Sequence, residues 1–149
     1  MAEPAIVENL KKRFGSAGED APSGSVVLEA QDIEKAVLFL TEEHAFDFLM
    51  NLAAIDYKDR LAVVYNLYSF KTGKKISLKI FVAKDNPSVP SISRILPAAD
   101  WHEREAYDLM GISFSAHPDL RRILLPDDWE GHPLRKDYIK EGIVKMPRV

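Results

Sequence analysis

The sequence contains no cysteine among its 149 residues. That excludes disulfides, and it excludes iron–sulfur clusters held by thiolates of this chain. Long apolar runs are missing too: the longest fall far short of the roughly 20 residues that a helical membrane span needs. The opening "MAEPAIVENLKKRFG" lacks a basic start followed by an apolar stretch, so a secretory signal is not expected. There is no basic excess. Twenty Lys and Arg stand against 23 Asp and Glu, for a net charge of −3, and no nucleic-acid partner is expected. Neither a G-x-G-x-x-G fingerprint nor a P-loop occurs, and "GSAG" from Gly15 reads as a loop. Ser69, Ser77, Ser113 and Ser115 lack the context of a nucleophile elbow.

What is present is an ordinary globular balance, 46% hydrophobic and 29% charged, in a length that fits one domain with a real core. Ile6, Leu10 and Phe14 recur at helical spacing and predict a helix ending near Gly15. "GSAGEDAPSG" reads as a loop, "SVVLEA" as a strand, and Gln31–Leu40 as a short helix. In "HAFDFLMNLAAID", Phe46, Leu49, Met50 and Ala53 share a helical face, which predicts a stronger helix.

Two alternating runs follow. Leu61, Val63, Tyr65 and Leu67 point one way, and Ile76, Leu78, Ile80 and Val82 form one face of the next run. Lys75, Ser77 and Lys79 fall on the opposite face, and "KTGK" joins the runs as a hairpin. "DNPSVPS" reads as a loop. A helix starts near Asp100, with Asp100 as N-cap answered by Glu103, and stops at Gly111. The predicted fold is α+β: a small, largely antiparallel sheet with helices on one face over residues 1–114, then an extended irregular segment over residues 115–149.

The chemistry is concentrated between Trp101 and Tyr138, which hold both tryptophans and three of the four histidines. Glu105 and Asp108 share a helix face and could act as an acid/base pair. Pairing with Arg104, Arg121, Arg122 or Arg135 is the better reading, and Arg121 or Arg122 is the expected partner. "HERE" superficially suggests a zinc helix, but Ala106 stands where the second histidine should be. His117 and His132 are far apart and lack thiolates, so they are expected to fix the loop by hydrogen bonds rather than hold metal. Beyond Gly111 the chain is irregular yet rich in Ile112, Phe114, Leu120, Ile123, Leu124, Leu125 and Trp129. A structureless apolar segment must be covered by something. It wraps either its own domain or a partner, and the partner is favoured. Pro118, Pro126 and Pro133 stiffen it, while Arg121, Arg122 and Arg135 offer bidentate donors for a partner's carboxylates.

These residues also carry a resemblance. Glu103, Arg104, Glu105, Asp108, the Gly111-Ile112-x-Phe114 run, the His117-Pro118-Asp119-Leu120-Arg121-Arg122 run and the stretch Gly131 to Tyr138 with Arg135 and Lys136 closely resemble the signature of the 30 kDa-type subunit of respiratory complex I, the C-type subunit of the bacterial enzyme. The likeness extends upstream to Phe46. Ala116 stands where glycine or asparagine is usual, and Ile139 where proline often follows the tyrosine.

The resemblance implies a cofactor-free subunit of the peripheral arm of a proton-translocating NADH-quinone oxidoreductase. FMN, the iron–sulfur clusters and the quinone would belong to partner subunits. The implied partners are the quinone-site (49 kDa-type) protein and neighbouring iron–sulfur subunits, with no insertion into the membrane. The implied place is the cytoplasmic face of the bacterial inner membrane. Glu103, Arg104, Glu105, Asp108, His117, Asp119, Arg121, Arg122, Arg135, Lys136 and Tyr138 become the residues expected to build structure or partner interface, and none is expected to be catalytic or to bind cofactor or metal. Two alternatives stay open: the same signature fits an equivalent subunit of a membrane-bound hydrogenase or a ferredoxin- or F420-dependent complex, and, from a different class, the apolar tail fits a free-standing module that grips another protein.

Overall fold

The structure, a computed structural model, describes residues 4–14, 18–140 and 142. The elements run α1 (Pro4–Arg13), β1 (Gly18–Asp20), β2 (Ser25–Leu28), α2 (Ile33–His44), β3 (Phe48–Asp56), β4 (Arg60–Ser69), β5 (Lys74–Ala83), β6 (Ser88–Pro90), α3 (Ala99–Met110) and β7 (Ser113–Ser115). Five strands form one sheet in the order β1-β2-β5-β4-β3. Only the β2–β5 pairing in it is parallel. The fold is therefore α+β with a largely antiparallel sheet.

The two alternating runs pair as expected. Leu61 faces Val82 and Leu67 faces Ile76 across the β4–β5 ladder. Gly73 closes the hairpin at φ 68°, a conformation that needs no Cβ, with its N–H on the Ser69 carbonyl at 2.8 Å. Leu61, Val63, Tyr65, Leu67, Leu78 and Ile80 are fully buried in one core with Leu10 of α1, Leu40 of α2 and Ala106 of α3. The helices thus lie over one face of the sheet.

Several expectations need correction. The predicted helix over "HAFDFLMNLAAID" is strand β3, paired antiparallel with β4 from Phe48↔Tyr68 to Asp56↔Leu61. The strand is apolar on both faces, so exposed Met50 and Ala53 complete a helical stripe with buried Phe46 and Leu49. A bulge, with the register shifting between Leu49 and Asn51 so that Met50 is an extra residue, puts Leu49 and Leu52 on the buried face. The predicted loop contains β1, and "DNPSVPS" contains β6, which pairs in parallel with β7 to form a second small sheet. The expected end of α1 at Gly15 and the start of "GSAG" lie outside the described residues.

Asp100 does not cap α3. The helix begins earlier, with Ala98 at the N-cap and no side-chain cap bond, and Asp100 lies in the first turn. Gly111 does end it, at φ 69°. Lys79, on the sheet face opposite Leu78 and Ile80, is buried at 3% exposure. Its ammonium reaches Asp20 and the Tyr57 hydroxyl, both at 2.7 Å, over the rings of Tyr57 and Phe81. The short strand β1 brings Asp20 to that charge.

The strand and helix readings of β3 make opposite predictions for two residues. Met50 is 48% exposed whereas Leu52 is buried. Met50→Ala is expected to change stability by less than about 0.5 kcal/mol and Leu52→Ala to cost roughly 2–5 kcal/mol in denaturant titration.

Candidate assembly site on α3 and the C-terminal segment

Helix α3 turns two carboxylates inward, and each fastens an irregular stretch of chain. Glu103 and Asp108 are both fully buried. A buried carboxylate is stable only with its oxygens bonded. Asp108 meets that demand from the C-terminal segment. Its Oδ2 accepts the backbone N–H groups of Ile123, Leu124 and Leu125 at 3.0, 2.7 and 2.9 Å. Its Oδ1 accepts Arg122 Nη1 at 2.7 Å. Burial alone would raise its pKa; the N–H of Leu125, the Arg122 guanidinium and the N–H groups of Leu124 and Ile123 outweigh it and hold Asp108 below the usual carboxylate range.

Arg122 completes the clamp. Its Nη1 also donates to the Asp108 carbonyl at 3.1 Å, and its Nη2 donates to the carbonyls of Trp129 and Gly131 at 2.9 and 3.1 Å. Arg135 donates from Nε to the Met110 carbonyl at 2.7 Å, and from Nη2 and Nη1 to those of Gly111 and Lys84. Arg122 and Arg135 are therefore spent within the chain, holding orphan carbonyls at the end of α3 and in the tail. The expectation that they reach a partner's carboxylates is corrected on that ground. Arg104 likewise binds the carbonyls of Arg121 and Arg122 at 3.2 and 3.4 Å. Arg121 is exposed and grips Asp119 with two bonds of 2.7 and 2.8 Å.

The histidines fix loops, as the sequence suggests. His117 Nδ1 accepts the Asp119 N–H at 3.0 Å, and its Nε2 lies 3.3 Å from the Asp100 carbonyl and 3.7 Å from Glu103 Oε2. His132 Nδ1 lies 3.0 Å from the Asp108 carbonyl, and its ring fills the space over Gly111 that a Cβ would need. Gly131 gives the same close approach to Tyr138, whose hydroxyl donates to the Glu130 carbonyl at 3.1 Å. Ala116 adopts φ 60°, which explains why glycine or asparagine suits that position.

Glu103 faces the other way. Its Oε1 accepts the Ile92 N–H at 2.8 Å, and its Oε2 meets Ser91 Oγ at 2.5 Å, with Ser93 behind. Burial pushes its pKa up to about 7 against the pull of Ser91 and Ile92, and the Asp100 charge adds to the rise.

Asp56 carries no signal in the sequence as first read. It is buried at the end of β3 and accepts the Lys136 N–H at 2.9 Å, the Lys58 N–H at 2.8 Å and Lys84 Nζ at 3.1 Å. Burial raises its pKa, but the N–H groups of Lys136 and Lys58 and the Lys84 ammonium bring it down to about 2. The signal emerges once β3 is read with period two, because Asp56 then shares the core face with Leu52 and Ala54. Lys136 contributes its backbone here, and its side chain is exposed.

Glu105 and Asp108 do not converge, since one is exposed and the other buried. Among the described residues no group of His, Asp or Glu has metal-site geometry. Chemically the arrangement is a clamp: Asp108 has three donors on one oxygen and Arg122 on the other, which makes it a weaker base than an ordinary carboxylate. The tail's outer side is different. Leu124, Leu134 and Ile139 are 62%, 59% and 87% exposed, and Trp101 on α3 is 63% exposed.

The sequence pattern of the respiratory-chain NADH dehydrogenase 30 kDa subunit matches residues 26–144. The chain belongs to that family. The C-type subunit of NADH-quinone oxidoreductase from Chloroherpeton thalassium is 46% identical over 93% of this chain and 62% of its own length, so this chain spans under two thirds of that relative. The C-type subunit of the same enzyme from Geotalea uraniireducens is 44% identical over 95% of this chain and 90% of its own. The trypsin-resistant fragment of Nqo5 superposes with a TM-score of 0.64 at 29% identity, over 77% of this chain and 99% of the fragment. A chain of an archaeal membrane-bound sulfane sulfur reductase shares the fold, with a TM-score of 0.75 at 22% identity over 91% of this chain and 84% of its own.

In this 30 kDa-family chain, Asp108→Asn puts an amide among three N–H donors and removes the charge opposite Arg122. It is expected to cost roughly 3–5 kcal/mol in chemical unfolding of the isolated chain. Glu103 supplies a pH test. Its folded pKa of about 7 exceeds the ordinary 4.5 of a glutamate, so its contribution is full below pH 4.5 and is lost as pH rises to about 7. The loss is on the order of 3 kcal/mol. Glu103→Gln is expected to flatten the fall in melting temperature between about pH 5 and 7.5 measured by calorimetry.

Proposed function

We propose that this chain is the cofactor-free C-type subunit of a proton-translocating NADH-quinone oxidoreductase. It sits in the peripheral arm and helps to assemble the quinone-reducing module. Electrons pass from NADH through FMN and iron–sulfur centres to quinone in other subunits. The absence of cysteine supports that division of labour, since thiolate-bound clusters need ligands this chain does not have. Among the described residues no helix is long and apolar enough to cross a membrane. The chain would therefore be held at the cytoplasmic face of the bacterial inner membrane through its partners, the quinone-site subunit first among them.

One observation carries the assembly role. The segment His117–Tyr138 is bonded on its inner side to Asp108 and Asp56, while Leu124, Leu134 and the adjoining Ile139 stand outward. Large aliphatic residues on a pinned, proline-stiffened strip form a preorganised apolar surface, which loses little entropy on docking. The clamp thus shapes the strip, and the outward side chains make the contact. Leu124→Asp combined with Ile139→Asp is expected to leave the isolated chain's melting temperature within about 2 °C, since both side chains are solvent-exposed. The same pair should cut recovery of the quinone-site subunit in affinity purification of the whole complex at least several-fold. Normal recovery would overturn the assembly role of the strip.

A further inference from the structure

Strand β3 ends the large sheet, and half of its backbone points away from it. Tyr57 donates to the Arg60 carbonyl at 2.9 Å, which makes those two residues a bonded pair. Bonded and non-bonded pairs alternate along an antiparallel ladder. With Ile55 opposite Ala62, Ala54 opposite Val63, Ala53 opposite Val64 and Leu52 opposite Tyr65, the residues bonded to β4 are Ile55 and Ala53. Leu52 and Ala54 therefore present N–H and C=O outward, and no described residue bonds to those groups.

The two edges of this sheet are built differently. β1 is three residues long and carries Glu19 and Asp20, a short charged edge of the kind that refuses added strands. β3 is nine residues long with no proline, lysine or arginine, and its one charge is the buried Asp56 at its end. The bulge disturbs only its first half, leaving Leu52–Asp56 regular. An apolar edge of this length is an open template unless something covers it.

Beside the outward groups runs a groove of about 160 Å³ between the edge and α3, bordered by Leu52, Ala54, His102, Glu105, Leu109 and Leu134. Its one carboxylate is Glu105, which is exposed and makes no hydrogen bond or ion pair with any described residue. We propose that β3 accepts an added strand from a neighbouring subunit: an extended, largely apolar segment that pairs with the backbone of Leu52 and Ala54 and sets a lysine or arginine against Glu105. This rests on the assembly role proposed above and adds a second contact, different in kind from the apolar strip. A second copy of this chain fits poorly. Antiparallel pairing of two β3 edges about an axis normal to the sheet leaves both α3 helices on one side and brings two Glu105 carboxylates together with no cation between them.

Amide hydrogen exchange read residue by residue tests this on the full chain, alone and in the purified complex. Ala53 and Ile55, bonded to β4, should be slow in both. Leu52 and Ala54 should be fast in the isolated chain and slowed by roughly 100-fold or more in the complex. Fast exchange at both positions in an intact complex would overturn strand addition while leaving the assembly role standing. Protection that grows with the concentration of the isolated chain would assign the edge to a second copy and overturn it as well. A chain that purifies with no other subunit would overturn both readings. Glu105→Lys should leave the isolated chain folded and lower recovery of the neighbouring subunit roughly ten-fold; wild-type recovery would remove the cation from the proposal.

Discussion

The described part of the C-terminal segment depends on one carboxylate. Three consecutive N–H groups, those of Ile123, Leu124 and Leu125, point at Asp108 Oδ2. A chain that forms neither helix nor ladder has no internal partners for its backbone donors. Concentrating three of them on one anion solves that problem with a single side chain and makes each bond charge-assisted. Arg122 balances the charge and meanwhile ties down the carbonyls of Trp129 and Gly131. The irregularity of the segment is therefore not looseness. It is backbone whose hydrogen bonds go to side chains.

The same device recurs. Asp56 gathers the backbone at Lys58 and Lys136, and Glu103 gathers it at Ile92. All three acids are buried, yet their pKa values diverge. Asp56 is brought to about 2 by two N–H groups and an ammonium, whereas Glu103 rises to about 7 because Ser91 and Ile92 cannot offset its burial. Asp56 and Asp108 have several backbone N–H donors and then a cation, Lys84 or Arg122, to set against burial, while the residue beyond Glu103 is His117, 3.7 Å away. A protonated Glu103 can itself donate to Ser91, so the contact survives neutralisation. The clamps on the tail are fixed charges, and the clamp on the β6 loop is one that can change its charge near neutral pH.

Much of the fold was legible because its strongest signals are local. The β4–β5 hairpin needed only alternation and a glycine. The Asp108–Arg122 pair was within reach because an acid on a core-facing helix position calls for a cation, and arginines followed. What failed did so through distant partners. The burial of Lys79 has no local signal, because Asp20, far away in sequence, is placed beside it by a strand of three residues. Strand β3 reads as a helix because it is apolar on both faces, so that exposed Met50 and Ala53 complete a helical stripe with buried Phe46 and Leu49. The direction in which the tail faces was illegible for a similar reason. Arginine on an irregular apolar segment suits a partner as well as it suits the segment's own helix end, and only the positions of the Met110, Gly111 and Trp129 carbonyls decide between them.

The division between inner and outer sides follows from these choices. Backbone groups of the tail are consumed inward by Asp108 and Asp56, while Leu124, Leu134 and Ile139 are left outward among exposed charged residues such as Asp127, Asp128 and Lys136. An apolar strip alone would be a liability, because a free chain of that composition collapses onto any surface. Fixing its backbone removes that freedom and leaves a surface of set shape. Along the groove between α3 and β3, which Leu134 also borders, the logic is reversed. There the alanines Ala53, Ala54 and Ala106 lie between larger side chains such as Leu52 and Leu109, and the outward-facing polar groups belong to the backbone of β3. Two unlike surfaces thus meet at Leu134 beside α3, one apolar through its side chains and one polar through its main chain. A partner that matches both must present an apolar face and an extended segment in one fixed relation, and that joint requirement is a stronger discriminator than either surface alone.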